Sequence, residues 1–476
     1  MDLIILLPAI ACWIVLARGP IRNALVDVYL PVVLLLPHYY VLRFAHLPPV
    51  SFAEMAALPL FGALWFREMR RWRFDWMDLF VLLFALSAGL SEGMSTSLAD
   101  GTWRDLFSVD RGPVAGDFSL FGLQFFAGLM TMGMPYMFGK LLVEGRGADG
   151  QAMRNRVVRR MVMLLAIVSA ISVFDFLTHR SIWQMVMHHF FRNQVVDWPT
   201  QVRWGFGRIQ GPYAHAILAG MIFLMGVIYV LWLRAFSPQW GTRRIFKGLP
   251  FTFRGLILVL IVGGLMMTQS RGPWIAVGLA LVLAMLVRVF SLGKATLAFV
   301  VVLIGFSAVA YTVGNRYTDV GLNQAKNEEQ RNAVYRRELI RAYFPIIEER
   351  KAFGWGFTTL PVVNGQQSVD NEYLLVAATQ GFTGLALFVT ILLGSGVRLY
   401  RLAQKPLRME DRALVFAHLT VLMGLAISLT TVYLGEQALL MLFFLLGWIQ
   451  AMKGPEAEQA FMPAASQAVR FHRVLT

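Results

Sequence analysis

A single cysteine, Cys12, stands in 476 residues. One thiol excludes an intrachain disulfide, and no Cys/His spacing of metal-ligating type is present. Charge is scarce: Asp, Glu, Lys and Arg together make up 15% of the chain. There is no low-complexity linker, no heptad run and no internal repeat, so residues 1–476 read as one polytopic unit. What fills the chain is apolar, 57% hydrophobic residues with a mean hydropathy of +0.59.

A bilayer core of about 30 Å takes about 20 apolar residues per helical crossing. Thirteen runs approach that length: Leu3–Leu16, Ala24–Leu42, Ser51–Phe66, Trp76–Leu90, Ser119–Phe138, Met161–Leu177, Ala214–Trp232, Gly255–Thr268, Pro273–Val289, Ala295–Val313, Asn371–Val397, Ala413–Tyr433 and Gly435–Ala451. The first is short and the third amphipathic. The runs are too long for barrel strands, and helices satisfy their own backbone in lipid. The expected fold is an all-α integral membrane protein of about 12–13 transmembrane helices. Leu3–Leu16 has the length of a signal sequence, but it lacks a basic segment before it and a small-x-small site after it, so it is read as structure.

Counting connections alternately puts 27 of the 43 Lys and Arg residues on one side, in short loops and the C-terminal tail. The positive-inside rule makes that side cytoplasmic. The net charge of +15 is accounted for by topology and anionic lipid headgroups, with no nucleic acid required. Most of the other 16 cations lie at Arg271 and in two long outward loops, 178–213 and 314–370. Arginine outnumbers lysine there, and a planar guanidinium fork suits phosphate. Asn327–Phe344 is expected to be a helix on the outer membrane surface, with Val334, Leu339, Ala342 and Ile346 on its apolar side. Arg337 and Arg341, four apart, share another face, and Arg336 is expected to turn away from them. Ile182–Phe191 is a second candidate surface helix. Trp198, Trp204 and Trp355 suit either sugar stacking or an interfacial belt.

Three polar motifs enter the membrane from the outward side. Gly207-Arg208-Ile-Gln-Gly211-Pro212-Tyr213-Ala-His215 opens one span, Ser270-Arg271-Gly272-Pro273 another, and Ser368-Val-Asp370-Asn371-Glu372-Tyr373 a third. Pro212 and Pro273 suit a first helical turn. Ser270 and Asp370 suit N-caps. Helix N-termini with Arg208 and Arg271 beside them make an anion site. An intramembrane-depth cation such as Arg271 needs a polar partner or substrate.

In this order the motifs resemble the superfamily of O-antigen ligases and Wzy-type polysaccharide polymerases. The resemblance rests on Arg208-x-x-Gly211, Ser270-Arg271-Gly272, Arg331-x-x-x-Tyr335, Gly354-Trp355-Gly356-Phe357 and Asp370-Asn371-x-Tyr373-Leu374, within roughly residues 203–396. It implies a bacterial inner-membrane transferase whose active site faces the periplasm. The donor is an undecaprenyl-pyrophosphate-linked oligosaccharide, with no cofactor and no metal. Arg271 and Arg208 match arginines that hold pyrophosphate, and Arg331 the loop arginine. Asp370 stands where the ligases usually carry histidine, a departure that favours a polymerase of exopolysaccharide, capsule or O-antigen. Asp370 is read as a proton acceptor or an orienting carboxylate. Arg203, His215, Arg331, Arg337, Arg341, Asn371 and Tyr373 are the candidate substrate-binding residues. Expected partners are membrane lipid, a flippase and a chain-length regulator. Two alternatives stay open: a ligase that uses a lipid or protein acceptor, and a transporter of lipid-linked sugars.

Overall fold

The structure is a computed structural model. It describes residues 2–43, 48–95, 118–144, 147–194, 201–237, 239–245, 252–290, 292–363 and 368–453. Each of the thirteen expected spans contains a helix, although Ala24–Leu42 and Ala413–Tyr433 run on past theirs: α1 (Leu7–Arg18), α2 (residues 21–35), α3 (Phe52–Glu68), α4 (Trp76–Ser95), α5 (residues 118–143), α6 (Gly147–Thr178), α8 (Ala216–Phe236), α9 (Phe253–Met267), α10 (Arg271–Val289), α11 (Leu292–Thr318), α13 (Glu372–Ala403), α14 (Met409–Ser428) and α15 (Glu436–Ala451). The two surface helices are present as α7 (Ile182–His188) and α12 (Glu328–Glu349). Two small hairpins accompany them, β1–β2 (Val41–Leu42 with Val50–Ser51) and β3–β4 (Val202–Arg203 with Phe206–Gly207).

The chain is therefore an all-α integral membrane protein. Among the described residues, seven helices are long and apolar enough to cross a bilayer: α4, α5, α6, α8, α11, α13 and α14. The other six do not reach that measure of length and hydropathy. At about 1.5 Å per residue, the 12 residues of α1 reach well short of a full crossing.

Helix starts follow local chemistry. Ser51 and Glu54 form a reciprocal capping box on α3. Thr252 caps α9, Asn327 caps α12 and Asn371 caps α13, each by accepting a backbone N–H. The expected cap at Asp370 is thus one residue off, because the Asn371 side chain takes the Leu374 N–H at 3.1 Å. Pro212 differs as well: the chain turns through residues 211–215 first, and α8 begins only after His215. Pro273 falls in the first turn of α10 as expected.

The central helix is α8, buried along almost its whole length and packed against α6, α9, α10 and α14. Gly220 lets α8 and α10 approach closely, since a Cβ there would meet Pro273 at 2.7 Å. On the other flank α13 is broken at Gly381, whose φ of +66° and ψ of −171° lie outside the helix. Residues 351–356 dock into that break: Phe382 N–H donates to Lys351 O at 2.7 Å, Trp355 N–H to Ala378 O at 2.9 Å and Gly356 N–H to Thr379 O at 2.9 Å. Buried Glu92 of α4 accepts the Phe357 N–H at 2.6 Å and the Thr358 N–H at 3.1 Å. The Gly-Trp-Gly-Phe motif thereby anchors α12 to the bundle. Trp355 is engaged in the same way, its indole N–H on Ile346 O at 2.8 Å and its face covered by the Arg350 guanidinium at 4.1 Å. It serves packing rather than a sugar platform. Trp198 lies outside the described residues.

Candidate functional site

The site begins with the β3–β4 hairpin, whose turn residues Trp204 and Gly205 both take positive φ. Folding back this tightly brings Gln201 next to Arg208, whose backbone N–H donates to Gln201 O at 2.8 Å. The hairpin lies over the start of α10, with the Trp204 and Trp274 rings 6.2 Å apart. Arg208 is 7% exposed, and its guanidinium holds Thr268 O at 3.1 Å, Ser270 Oγ at 3.0 Å and the Gln201 side chain. Arg203 donates to Gln269 O at 2.7 Å. Two arginines of one loop are thus fastened to the three residues, Thr268, Gln269 and Ser270, that precede α10. Ser270 is at the N-cap position as expected, but its hydroxyl serves Arg208 and Thr268 O instead of capping.

Arg271 follows at the first position of α10. It is half exposed and pairs with Glu329 in the first turn of α12. Gly272 then passes so close to the turn after α14 that a Cβ would meet Thr431 Oγ1 at 2.9 Å. That turn receives a further arginine: Arg336 of α12 donates to Thr431 O at 3.3 Å. Arg336 faces Asp370 and Arg203 electrostatically. Arg208 in turn feels Arg203 and Arg336.

The carboxylate side is held just as definitely. Tyr335 donates to Ser368 O at 2.8 Å and accepts the Ser368 N–H at 3.2 Å. Ser368 Oγ then donates to Asp370 Oδ1 at 2.5 Å. Relieved of capping, Asp370 faces Arg336 and His215 without a direct ion pair. His215 caps α8, its Nδ1 accepting the Ile217 N–H at 3.2 Å. Burial pushes the imidazole down to about 4, and Arg208 adds to the push, so the ring is neutral near pH 7. Burial and the neighbouring arginines also lower Arg208 to about 10. Burial lowers Arg336 too, with Asp370 opposing.

The structure therefore collects Arg203, Arg208, Arg271, His215 and Asp370 from the sequence candidates. It separates the others from them. Arg331 is exposed and lies about 140° around α12 from Arg336 at 100° per residue. Arg337 and Arg341 line a different cleft, beside Thr318 and Gln324. Asn371 is committed to its cap. Tyr373 turns into the bundle, its hydroxyl on Ala426 O at 2.9 Å and its ring 5.9 Å from Phe388. Arg336 and Glu329 were missed. Arg336 turns away from Arg337 and Arg341 as expected, but onto the face of α12 that continues as buried Leu339, Tyr343 and Ile347. A cation in line with an apolar stripe was the signal that could have found it. Among the described residues no cluster of His, Cys, Asp or Glu forms a metal site.

The arrangement is a concentration of positive charge at the end of a multi-pass helical bundle: four guanidinium groups, the start of α10 and two carboxylates. Such a site takes an anion. Residues 256–389 match the family model described as O-Antigen ligase. The matched stretch runs from α9 into α13 and contains Arg271, Glu329, Arg336 and Asp370, while Arg203, Arg208 and His215 precede it. The match supports the O-antigen ligase and Wzy-type superfamily, and with it a glycan transferase of the ligase/polymerase kind in a membrane. No curated protein matches the chain.

Proposed function

We propose that the protein is a polymerase of a bacterial cell-surface polysaccharide. It would act at the periplasmic face of the inner membrane on an undecaprenyl-pyrophosphate-linked glycan. The observation that carries this reading is the buried guanidinium of Arg208 among Arg203, Arg271 and Arg336. Like charges repel, and burial costs a cation its hydration. A diphosphate placed between them would offset both costs.

In the proposed reaction an acceptor sugar hydroxyl attacks the anomeric carbon. The bond from that carbon to the diphosphate oxygen breaks, and the electron pair leaves with the diphosphate. Arg208, Arg271 and Arg336 stabilise the charge that grows there, through donors already in place. Asp370, held by Ser368 and aimed among cations, takes the hydroxyl proton or orients the hydroxyl for attack. His215, neutral, completes the wall between Arg208 and Asp370. No step draws on a metal or a nucleotide.

The test uses purified lipid-linked repeat units with the full chain in membranes. Asp370→Asn leaves the α13 cap intact, since Asn371 provides it. The expected result is normal insertion with most polymer lost. Undiminished polymer from Asp370→Asn would remove the carboxylate from the chemistry. In a deletion strain, single repeat units on the lipid carrier should accumulate. Accumulation of full-length polymer on the carrier would instead indicate a ligase.

A further inference from the structure

Helix α12 presents a second polar site away from Arg336. Val334, Arg337 and Arg341 follow one another at i, i+3 and i+7, so they share a face. That face is turned to the C-terminal end of α11 and encloses with it a cleft of about 350 Å³. The size lies in the range of small-ligand sites, about 300–1,000 Å³. Its walls are Thr318, Asp319 and Gln324 on one side, Arg337, Glu338 and Arg341 on the other. Arg337 is partly committed, with Nη1 3.2 Å from Thr318 Oγ1 and 3.5 Å from Asp319 Oδ1.

The chemistry of these walls differs from that of the arginine cluster around Arg208. Two guanidinium groups alternate with two carboxylates and an amide. A phosphate dianion would meet Asp319 and Glu338 as like charges. An acidic sugar suits both kinds of wall: its hydroxyls donate to the carboxylates, and its single ring carboxylate, one negative charge rather than two, fits the guanidinium fork. We propose that the cleft between α11 and α12 binds an acidic sugar residue of a glycan chain. That this glycan is the polymer under construction rests on the transferase reading above; the saccharide site itself does not. Arg336 and Arg337 are neighbours on one helix, so the cleft would hold a sugar flanking the reacting one, on the chain that passes Asp370.

The experiment is a titration of the full chain in phosphatidylcholine nanodiscs with trigalacturonic acid, maltotriose and glycerol phosphate. Trigalacturonic acid should bind, and at least tenfold more tightly than maltotriose. Arg341→Ala should weaken it at least tenfold. Asp319→Ala, a change at an exposed position, should weaken it measurably without touching the helix. Arg208→Ala should leave this binding unchanged, which separates it from the transfer reaction. Equal binding of maltotriose, an unaltered titration in both the Arg341 and Asp319 variants, or displacement by glycerol phosphate would each overturn the proposal. The last outcome would identify a phosphate or headgroup site instead.

Discussion

Two polar clusters in this molecule are built on opposite plans. One joins the start of α4 to the end of α5. There Lys140 Nζ lies 2.6 Å from Asp78 Oδ1 and 3.0 Å from Asp75 Oδ2, Tyr136 donates to Asp78 at 2.6 Å and the Trp72 indole donates to it at 2.9 Å. Arg398 acts on Asp75 from α13 while its own donors are taken by the carbonyls of Ile449, Gln450 and Met452. Two cations face two carboxylates, and the donors are spent. The other cluster sets Arg203, Arg208, Arg271 and Arg336 against Asp370 and Glu329, four charges against two. A closed network specifies packing. An unbalanced one at a bundle end specifies a ligand, because its deficit can be made good only from outside.

The comparison can be broken most sharply at Arg208. Arg208→Ala should cut polymer formation by about 10²–10³-fold, the usual cost of losing one donor to a developing oxyanion. Arg208→Lys should recover little, since an ammonium cannot reach Thr268 O, Ser270 and Gln201 together. Turnover within twofold of wild type in both variants would end the anion-site reading. Arg336→Ala should follow with a loss of about tenfold or more, measured on the same lipid-linked units.

Stability should show the reverse pattern. Lys140→Met strands Asp78 and should cost about 3–5 kcal/mol, the price of breaking a buried pair, seen as a lower Tm in nanodiscs. Turnover per folded molecule should stay near wild type. Arg336→Gln, by contrast, relieves repulsion and should leave Tm unchanged or raised. Inorganic pyrophosphate should raise the Tm of the wild type and not of Arg208→Ala. A fall in Tm for Arg336→Gln as large as for Lys140→Met would make the two clusters alike.

The smallest effect concerns acid. His215 is lowered to about 4 in the folded chain from an ordinary 6.5. Between those values the unfolded chain binds a proton that the folded one excludes. Stability therefore rises with pH across that window and is lost as pH falls. His215→Asn keeps an acceptor for the Ile217 N–H and should flatten this dependence in melts between about pH 4 and 6.5. An unchanged slope would mean that His215 does not titrate there.

What was legible in the sequence was whatever depends on neighbours along the chain. Hydropathy located all thirteen helices, and the Arg208 and Ser270-Arg271-Gly272 motifs marked two walls of the site. The α12 helix was readable too, but not its orientation. A helical wheel fixes angles between Arg336, Arg337 and Arg341 without stating which of them meets α14 and which meets α11. Runs overshot at the ends of α2 and α14, where apolar sequence continues past the helix into packed turns. Residues 430–434, for example, fold against the Glu372 backbone and side chain. The pairing of Arg271 with Glu329 spans 58 residues and left no local trace.

The clip of Tyr335 on Ser368, and of Ser368 on Asp370, has a mechanical meaning. Arg336 belongs to α12, and through that clip Asp370 is tied to the same helix. Arg203, Arg208 and Arg271 are instead fastened to the start of α10. The site thus has a jaw and a seat. A small tilt of α12 would carry Arg336 away from the seat, while Asp370 is held from both sides, by the clip to α12 and by the start of α13, where the Glu372 N–H donates to Leu429 O at 2.9 Å. Across the gap to the seat α12 is linked by the surface pair of Arg271 with Glu329 and by the contact of Arg336 with Thr431. Parting those two would open the seat from the side, with Asp370 left at the hinge between α12 and α13.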